Sequence, residues 1–298
     1  MGKDIYAEVT DRIIAELENG IIPWRRPWIG HGGAISHESG RPYSFMNQML
    51  LGKPGEYITW NQAKNEGGNV KKGAKAKIII FWKPIVKPVL DVDGNPVIDA
   101  YGQPEVRVFP CLKYYNVFHI DDCENISPKW KDKPAATTET LAEPEAVFHD
   151  YITRENIQFE ECISDKAYYA PGMDYIHLPL KTQFPDTAEY YSTMFHETVH
   201  STGHKTRLNR FSPNALDNIF GSESYSKEEL VAEIGAACTL SRFGIETGSS
   251  FKNSTAYIQS WLRELKNDKT LIVSAAAKAE KAVKLIFNEK AEEAENAA

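Results

Sequence analysis

The sequence predicts an α+β protein of two unlike parts: a small amino-terminal domain of helix plus mainly antiparallel sheet, and a mainly helical carboxy-terminal domain with a short edge-strand sheet. Three observations carry this. Apolar residues recur every four at the amino end, short apolar runs broken by Gly and Pro turn signals follow, and beyond "DYIHLP" (174–179) the apolar pattern is helical.

Ile5, Val9, Ile13 and Leu17 define an amphipathic helix that Asn19-Gly20 ends and Pro23 keeps from resuming. "PWRRPW" (23–28) is bracketed by proline, so helix is disfavoured there, and irregular chain extends to Tyr43. "FMNQMLLG" reads as a short helix, "GEYITWNQAKNEGG" as a strand or turn feeding another, and "AKIIIFWKP" as a buried strand. Turn signals "DGNP" and "YGQP" break residues 86–108 into an exposed hairpin-like excursion, and "FPCLKYYNVFHI" returns as a strand. Polar, proline-marked "KDKPAATTETLAEPE" reads as a linker, placing domains at 1–127 and 145–298 with 128–144 between them. A helix near Glu145–Glu155 opens the second domain, then "AYYA" and "DYIHLP" form strands around "PGMD". "DYIHLP" is expected at a sheet edge, where an extended peptide could add, with His177 on its solvent face. Tyr257, Ile258, Trp261, Leu262 and Leu265 trace one late helical face and Leu271 to Phe287 another, before a solvated acidic tail.

With 42% hydrophobic and 25% charged residues, the chain can bury real cores. No run approaches the roughly 20 apolar residues of a membrane span, and the amino end has no signal-peptide core, so a cytoplasmic protein without membrane attachment is expected. The four cysteines, Cys111, Cys123, Cys162 and Cys238, form no C-x-x-C pair and read as reduced thiols. A net charge of −7 conceals an asymmetry: from Pro23 to Lys87 there are 11 Lys and Arg against 3 acids.

"MFHETVHSTGH" (194–204) carries the chemistry. His196 and His200, four apart on a helix, leave one face a turn from each other, as two ligands of one tetrahedral zinc must. Glu197 between them is the expected base toward zinc-polarised water in this H-E-x-x-H arrangement. A third histidine at metzincin spacing is missing, since residue 206 is Thr206; His204 falls two residues early. In "YSKEELVAEIGAACTL" Glu229 and Glu233 lie one turn apart, so Glu229 is preferred as third ligand, with Glu233 receiving the free N–H of a ligand histidine. That pattern resembles gluzincin metallopeptidases. Glu233 or His204 as ligand, and a Ser226–Glu229 capping box, are the competing readings.

In the basic stretch, cations interleaved with Trp24, Trp28, Tyr43, Trp60 and Trp82 suit sequence-tolerant single-strand binding, in which rings stack on unpaired bases. Tryptophans beside prolines closing a small core are the bland alternative.

"VTDRIIAELENGIIPWRRPW", "SGRPYSFMNQMLL", "ITWNQAKNEGGNVKKG", "IIIFWKP" and "KYYNVFHIDDCENI" resemble the amino-terminal domain of ArdC-type antirestriction proteins and of plasmid TraC-type primases. "HETVHSTGHKTRLNR" and "YSKEELVAEIGAA" resemble the zincin-like carboxy-terminal domain of ArdC proteins. The excursion from Lys87 to Glu105 and the acidic tail match no motif. The resemblance implies a mobile-element protein that binds single-stranded DNA and carries a metallopeptidase-like site of one Zn2+ per chain on His196, His200 and Glu229, with Glu197 as base. Proteins of that kind are associated with protecting conjugated DNA from host restriction. Chemistry selects Trp24, Arg25, Arg26, Trp28, Arg41, Tyr43, Lys71 and Lys72 as DNA contacts. Two other readings stay open: a DNA-binding protector whose metal is structural or regulatory, and an intracellular metalloprotease whose basic domain recruits a protein partner.

Overall fold

The computed structural model describes residues 4–25, 33–130, 144–211, 223–245 and 251–289. Arg26, Trp28, most of the expected linker and the acidic tail lie outside these.

Helix α1 (Ile5–Glu18) starts where Asp4 accepts the backbone N–H groups of Tyr6 and Ala7, and stops at Asn19, with Gly20 at φ 75°. Its four-residue apolar repeat buries Val9, Ile13 and Leu17 almost completely. A 3-10 turn (Pro23–Arg25) follows, then strand β1 (Ala34–Ser36), helix α2 (Phe45–Leu51), strand β2 (Gly55–Thr59) and helix α3 (Trp60–Asn65). Strands β3 (Asn69–Val70), β4 (Lys77–Pro88), β5 (Val106–His119) and β6 (Cys123–Glu124) complete this half. The main sheet has order β1-β2-β5-β4; β1 and β2 pair in parallel and the rest antiparallel. The β4–β5 ladder runs from Lys77↔Val117 to Pro88↔Val106, so the excursion expected after residue 86 continues the hairpin outward. β4 is less buried than expected: Ile78 and Ile80 reach the main core and Ile79 packs on a smaller cluster with Tyr57 and Val117, while the outer half is largely exposed and, among the described residues, meets only the start of α1, where Trp82 lies 6.5 Å from the Tyr6 ring.

Lys129 and Trp130, assigned on sequence to the linker, are docked on this half. Glu56 accepts their backbone N–H groups at 3.0 and 2.8 Å, and the Trp130 indole donates to the His37 carbonyl at 2.9 Å. Gly40 makes room, since a Cβ there would lie 2.7 Å from the Trp130 ring.

The second half has helix α4 (Pro144–Arg154), strands β7 (Gln158–Cys162), β8 (Tyr168–Ala170) and β9 (Tyr175–Pro179), and helices α5 (Thr187–Ser201), α6 (Glu223–Arg242), α7 (Phe251–Asn267) and α8 (Leu271–Ile286). Two expectations are corrected. β9 is the central strand of the order β7-β9-β8, so peptide addition along it is blocked on both sides. β7, "QFEEC", escaped sequence reading because its residues are largely polar; parallel pairing to β9 makes it a strand. His177 is accordingly buried, 7% exposed, with its ring stacked 5.0 Å from Tyr168.

One hydrophobic core runs through both halves, joining Val9, Ile13 and Leu17 to Leu271, Ile272 and Trp261. Thr10 donates to the Lys269 carbonyl at 2.6 Å, and Lys266 and Lys269 pair with Glu18 and Asp11. No helix among the described residues is long and apolar enough to cross a membrane.

Candidate metal centre

Asp186 caps α5 by accepting the Glu189 N–H. The helix then buries Met194, Phe195, Thr198 and Val199 on one side while His196 and His200 emerge together on another. α6 crosses directly over them. A Cβ on Gly235 would lie 2.8 Å from Val199 Cγ2, so only glycine allows this approach. The contact brings Glu229 onto the histidine pair.

Three ligand atoms converge. His196 Nε2 and His200 Nε2 are 3.1 Å apart, and the Glu229 oxygens lie 3.4 Å from the first and 3.2 Å from the second. Bonds of about 2.0–2.1 Å at tetrahedral angles put ligand atoms about 3.4 Å apart, so the trio fits one small divalent cation. Among the described residues His196, His200 and Glu229 are the group able to hold a metal.

Behind each imidazole stands another carboxylate. Glu233 Oε2 is 3.7 Å from His196 Nδ1, and Glu228 Oε1 is 3.6 Å from His200 Nδ1. This leaves both Nε2 atoms for the centre, the arrangement in which an outer carboxylate fixes a ligand ring. Each outer carboxylate has its own arginine. Arg210 grips Glu228 at 2.5 Å while donating to the Val199 carbonyl and Thr202 Oγ1, tying the end of α5 to α6. Arg25 reaches across from the amino-terminal half to Glu233 at 2.7 Å. Burial disfavours charge on His196, but Glu229, Glu233 and Glu197 outweigh it and hold its pKa well above the ordinary imidazole value. Burial would raise Glu229, yet His196 and His200 bring it far below the usual carboxylate range.

Glu197 is 9% exposed on the same helix, between the two histidines. His204 is outside the trio and bonds Thr206 at 2.8 Å. The capping-box alternative for Ser226 and Glu229 fails, because α6 already begins at Glu223. Glu228, Arg210 and Gly235 were missed. The run of two glutamates was the available signal for Glu228; the two others depend on helix packing.

The expected DNA contacts meet different surroundings. Trp24 is corrected outright: it is fully buried, edge-on to Trp261 at 5.2 Å, and no base can reach it. Arg25 is engaged with Glu233 as described. Tyr43 is half-buried, with burial pushing its hydroxyl up to about 12. Arg41, Lys71 and Lys72 are exposed, Lys71 donating to the Asp121 carbonyl at 2.7 Å. Arg26 and Trp28 lie outside the described residues.

A family model described as a zincin-like metallopeptidase matches residues 145–278, and one described as the N-terminal domain of anti-restriction factor ArdC matches residues 3–118. Two Escherichia coli proteins named DNA primase TraC are 33% and 32% identical over 94% of this chain, which spans only 26% and 19% of their length. An uncharacterized Sinorhizobium fredii protein, y4eC, is 28% identical over 93% of this chain and 89% of its own. Among solved structures, the Mn(II)-bound crystal structure of the antirestriction ArdC protein from plasmid R388 is 33% identical over 96% of this chain and 98% of that one, with a TM-score of 0.71. Its metal-free form gives 0.70.

Proposed function

We propose, from the premise that this chain belongs to the ArdC antirestriction family, that its amino-terminal half holds single-stranded DNA while its carboxy-terminal half works as a metallopeptidase-type site. Two imidazoles and a carboxylate make zinc the default ion. The biological role on this reading is protection of DNA arriving by conjugation from host restriction.

The observation that carries the site reading is the convergence of His196, His200 and Glu229 to 3.1–3.4 Å, each imidazole backed by a carboxylate. A bound divalent ion supplies Lewis acidity, which acidifies water and polarises a carbonyl. His196 and His200 would hold such an ion through their Nε2 atoms and Glu229 through a carboxylate oxygen. Glu197 serves as general base, taking a proton from attacking water and returning it to the leaving amine nitrogen. Glu228 and Glu233 hold the rings in register. The ArdC relative matches this chain about equally well in its Mn(II)-bound and metal-free forms, so the shared fold does not require the ion.

The test is metal analysis of the intact chain and of Glu197→Gln, with a proteolysis screen run with and without single-stranded DNA. One equivalent of divalent metal in both proteins and hydrolysis only in wild type is expected. Absence of metal in wild type sinks the site reading. Metal in both, no hydrolysis in either and equal protection of DNA would instead assign the ion a non-catalytic role.

A further inference from the structure

Neither β4 nor β5 contains an Asp or Glu, and between them they carry Lys77, Lys83, Lys87, Arg107 and Lys113. Their register decides where these point. Directly paired residues share a face and every second residue returns to it, and Lys77↔Val117, Phe81↔Lys113, Lys83↔Cys111 and Lys87↔Arg107 all fall on the same alternate set. All five cations therefore project from one face of the hairpin.

Phe81, Tyr115 and Phe109 belong to that same set. Two observations agree with the parity: the Phe81 and Tyr115 rings stack at 4.7 Å with 6° between their planes, and Lys87 Nζ lies 6.0 Å from the Phe109 ring centre. Tyr115 is 50% exposed and Phe109 47%. The opposite face packs Ile78, Ile80 and Leu112 into the main core, and on the cationic face only the inner end is covered, where Ile79 and Val117 meet Tyr57 and Tyr43.

The charges lack internal compensation. None of the five has a salt-bridge partner among the described residues, and Lys87 sits directly opposite Arg107, a like-charge pairing that destabilises a ladder. The nearest acid is Glu105, whose carbonyl accepts the Val89 N–H at 2.8 Å and so carries the register one step further, placing it at the outermost end of the same face beyond Arg107. Asp4, which shares a cleft with Lys87 and Phe109, uses its carboxylate to cap α1. In a chain whose net charge is −7, five cations with open rings on one face of two strands that carry no acid fit a polyanion with unpaired bases.

We propose that this face of the β4–β5 hairpin is the platform for single-stranded DNA: the cations follow the phosphates while Tyr115 and Phe109 receive bases. The inference rests on the single-strand reading above and names its surface. Exposed rings favour an unpaired strand, whereas a ribbon lying in a duplex major groove would have no use for them.

The experiment is fluorescence anisotropy of a labelled thymidine oligonucleotide against the full chain over a salt series, with the matching duplex as competitor. Lys83→Gln/Lys113→Gln should flatten the slope of log affinity against log salt by about 1.4, at about 0.7 for each phosphate no longer neutralised. Tyr115→Ala and, separately, Phe109→Ala should weaken binding by about five-fold or more, with melting temperature reporting that the fold persists. Wild-type binding that these variants reproduce in both affinity and slope, or loss confined to Lys71→Gln/Lys72→Gln, overturns the surface and leaves the single-strand reading standing. Duplex that competes as well as single strand overturns the stacking role. Wild type that binds no oligonucleotide at low salt removes the underlying reading.

Discussion

The metal centre and the β4–β5 hairpin handle charge in opposite ways. At the centre, two imidazoles and three carboxylates are packed between helices, and each outer carboxylate has an arginine: Arg210 on Glu228 and Arg25 on Glu233. On the hairpin, five cations share one face of two strands that carry no acid. Buried charge must find its partner within the fold, because an uncompensated ion loses its solvation. Exposed charge of one sign has no such obligation and is free for something outside. Full pairing thus marks the place where geometry matters, and unpaired repetition marks the place where contact does.

The largest expected effect sharpens the inner half of that contrast. Glu197→Gln should retain metal and reduce peptide hydrolysis by about 10²- to 10⁴-fold, the usual contribution of a general base, as measured by turnover at matched metal content. Retained hydrolysis would strip Glu197 of that role.

Next in size is the outer pairing. Glu233→Gln should weaken metal affinity by about 10- to 100-fold in a chelator competition, since the carboxylate behind a ligand imidazole sets its orientation. Arg25→Gln should move the same constant in the same direction and by less, because Arg25 acts through Glu233. An unchanged constant in both variants would break the comparison, reducing the arginine-carboxylate pairing to surface packing.

Gly235→Ala tests the helix contact. The added methyl meets Val199 at 2.8–2.9 Å, so α5 and α6 must shift. Overpacking of this kind costs about 1–3 kcal/mol, seen as a lower denaturation midpoint, and metal affinity should fall with it. A variant of wild-type stability would mean that the helices part freely.

An effect of similar size is expected at Glu56, whose burial raises its pKa while the N–H groups of Trp130 and Lys129 and the His37 ring lower it more, leaving it below the ordinary carboxylate value. A carboxylate depressed in the folded state stabilises fully above its unfolded value, and that contribution fades as pH falls through the folded one. Glu56→Gln should therefore cost about 1–3 kcal/mol at neutral pH and flatten the loss of stability on acidification, read from denaturation midpoints across a pH series. An acid limb as steep as that of wild type would contradict it.

The centre was readable in the sequence because its logic is local. H-E-x-x-H and the Glu229–Glu233 spacing each place two side chains on one helix face, and helix periodicity alone makes that inference. What joins the two helices was not readable: Gly235 matters only once Val199 faces it, and Arg25 meets Glu233 across 208 positions. The same limit explains Trp24. Composition placed it among cations, but exposure is a tertiary property, and this tryptophan closes the core. Lys77, Lys83 and Lys87 were counted in the basic stretch, yet their common face with Arg107 and Lys113 needs a register that no single strand contains. Helix α1 and the long strands β4 and β5 followed their apolar pattern, whereas β1 fell in a stretch expected to be irregular, β3 and β6 are too short to carry a pattern, and the position of β9 within its sheet depended on β7, a strand with hardly any apolar signature.

The seat of α1 against α7 and α8 has a practical consequence. Severing the chain in the segment before Pro144 would uncover the apolar side of Leu271, Ile272 and Trp261 and strand the Glu233 carboxylate without its guanidinium. A fragment made that way would tend to clump and to bind an ion loosely for reasons unrelated to its chemistry, so the zincin-like half is best assayed while still wearing the other.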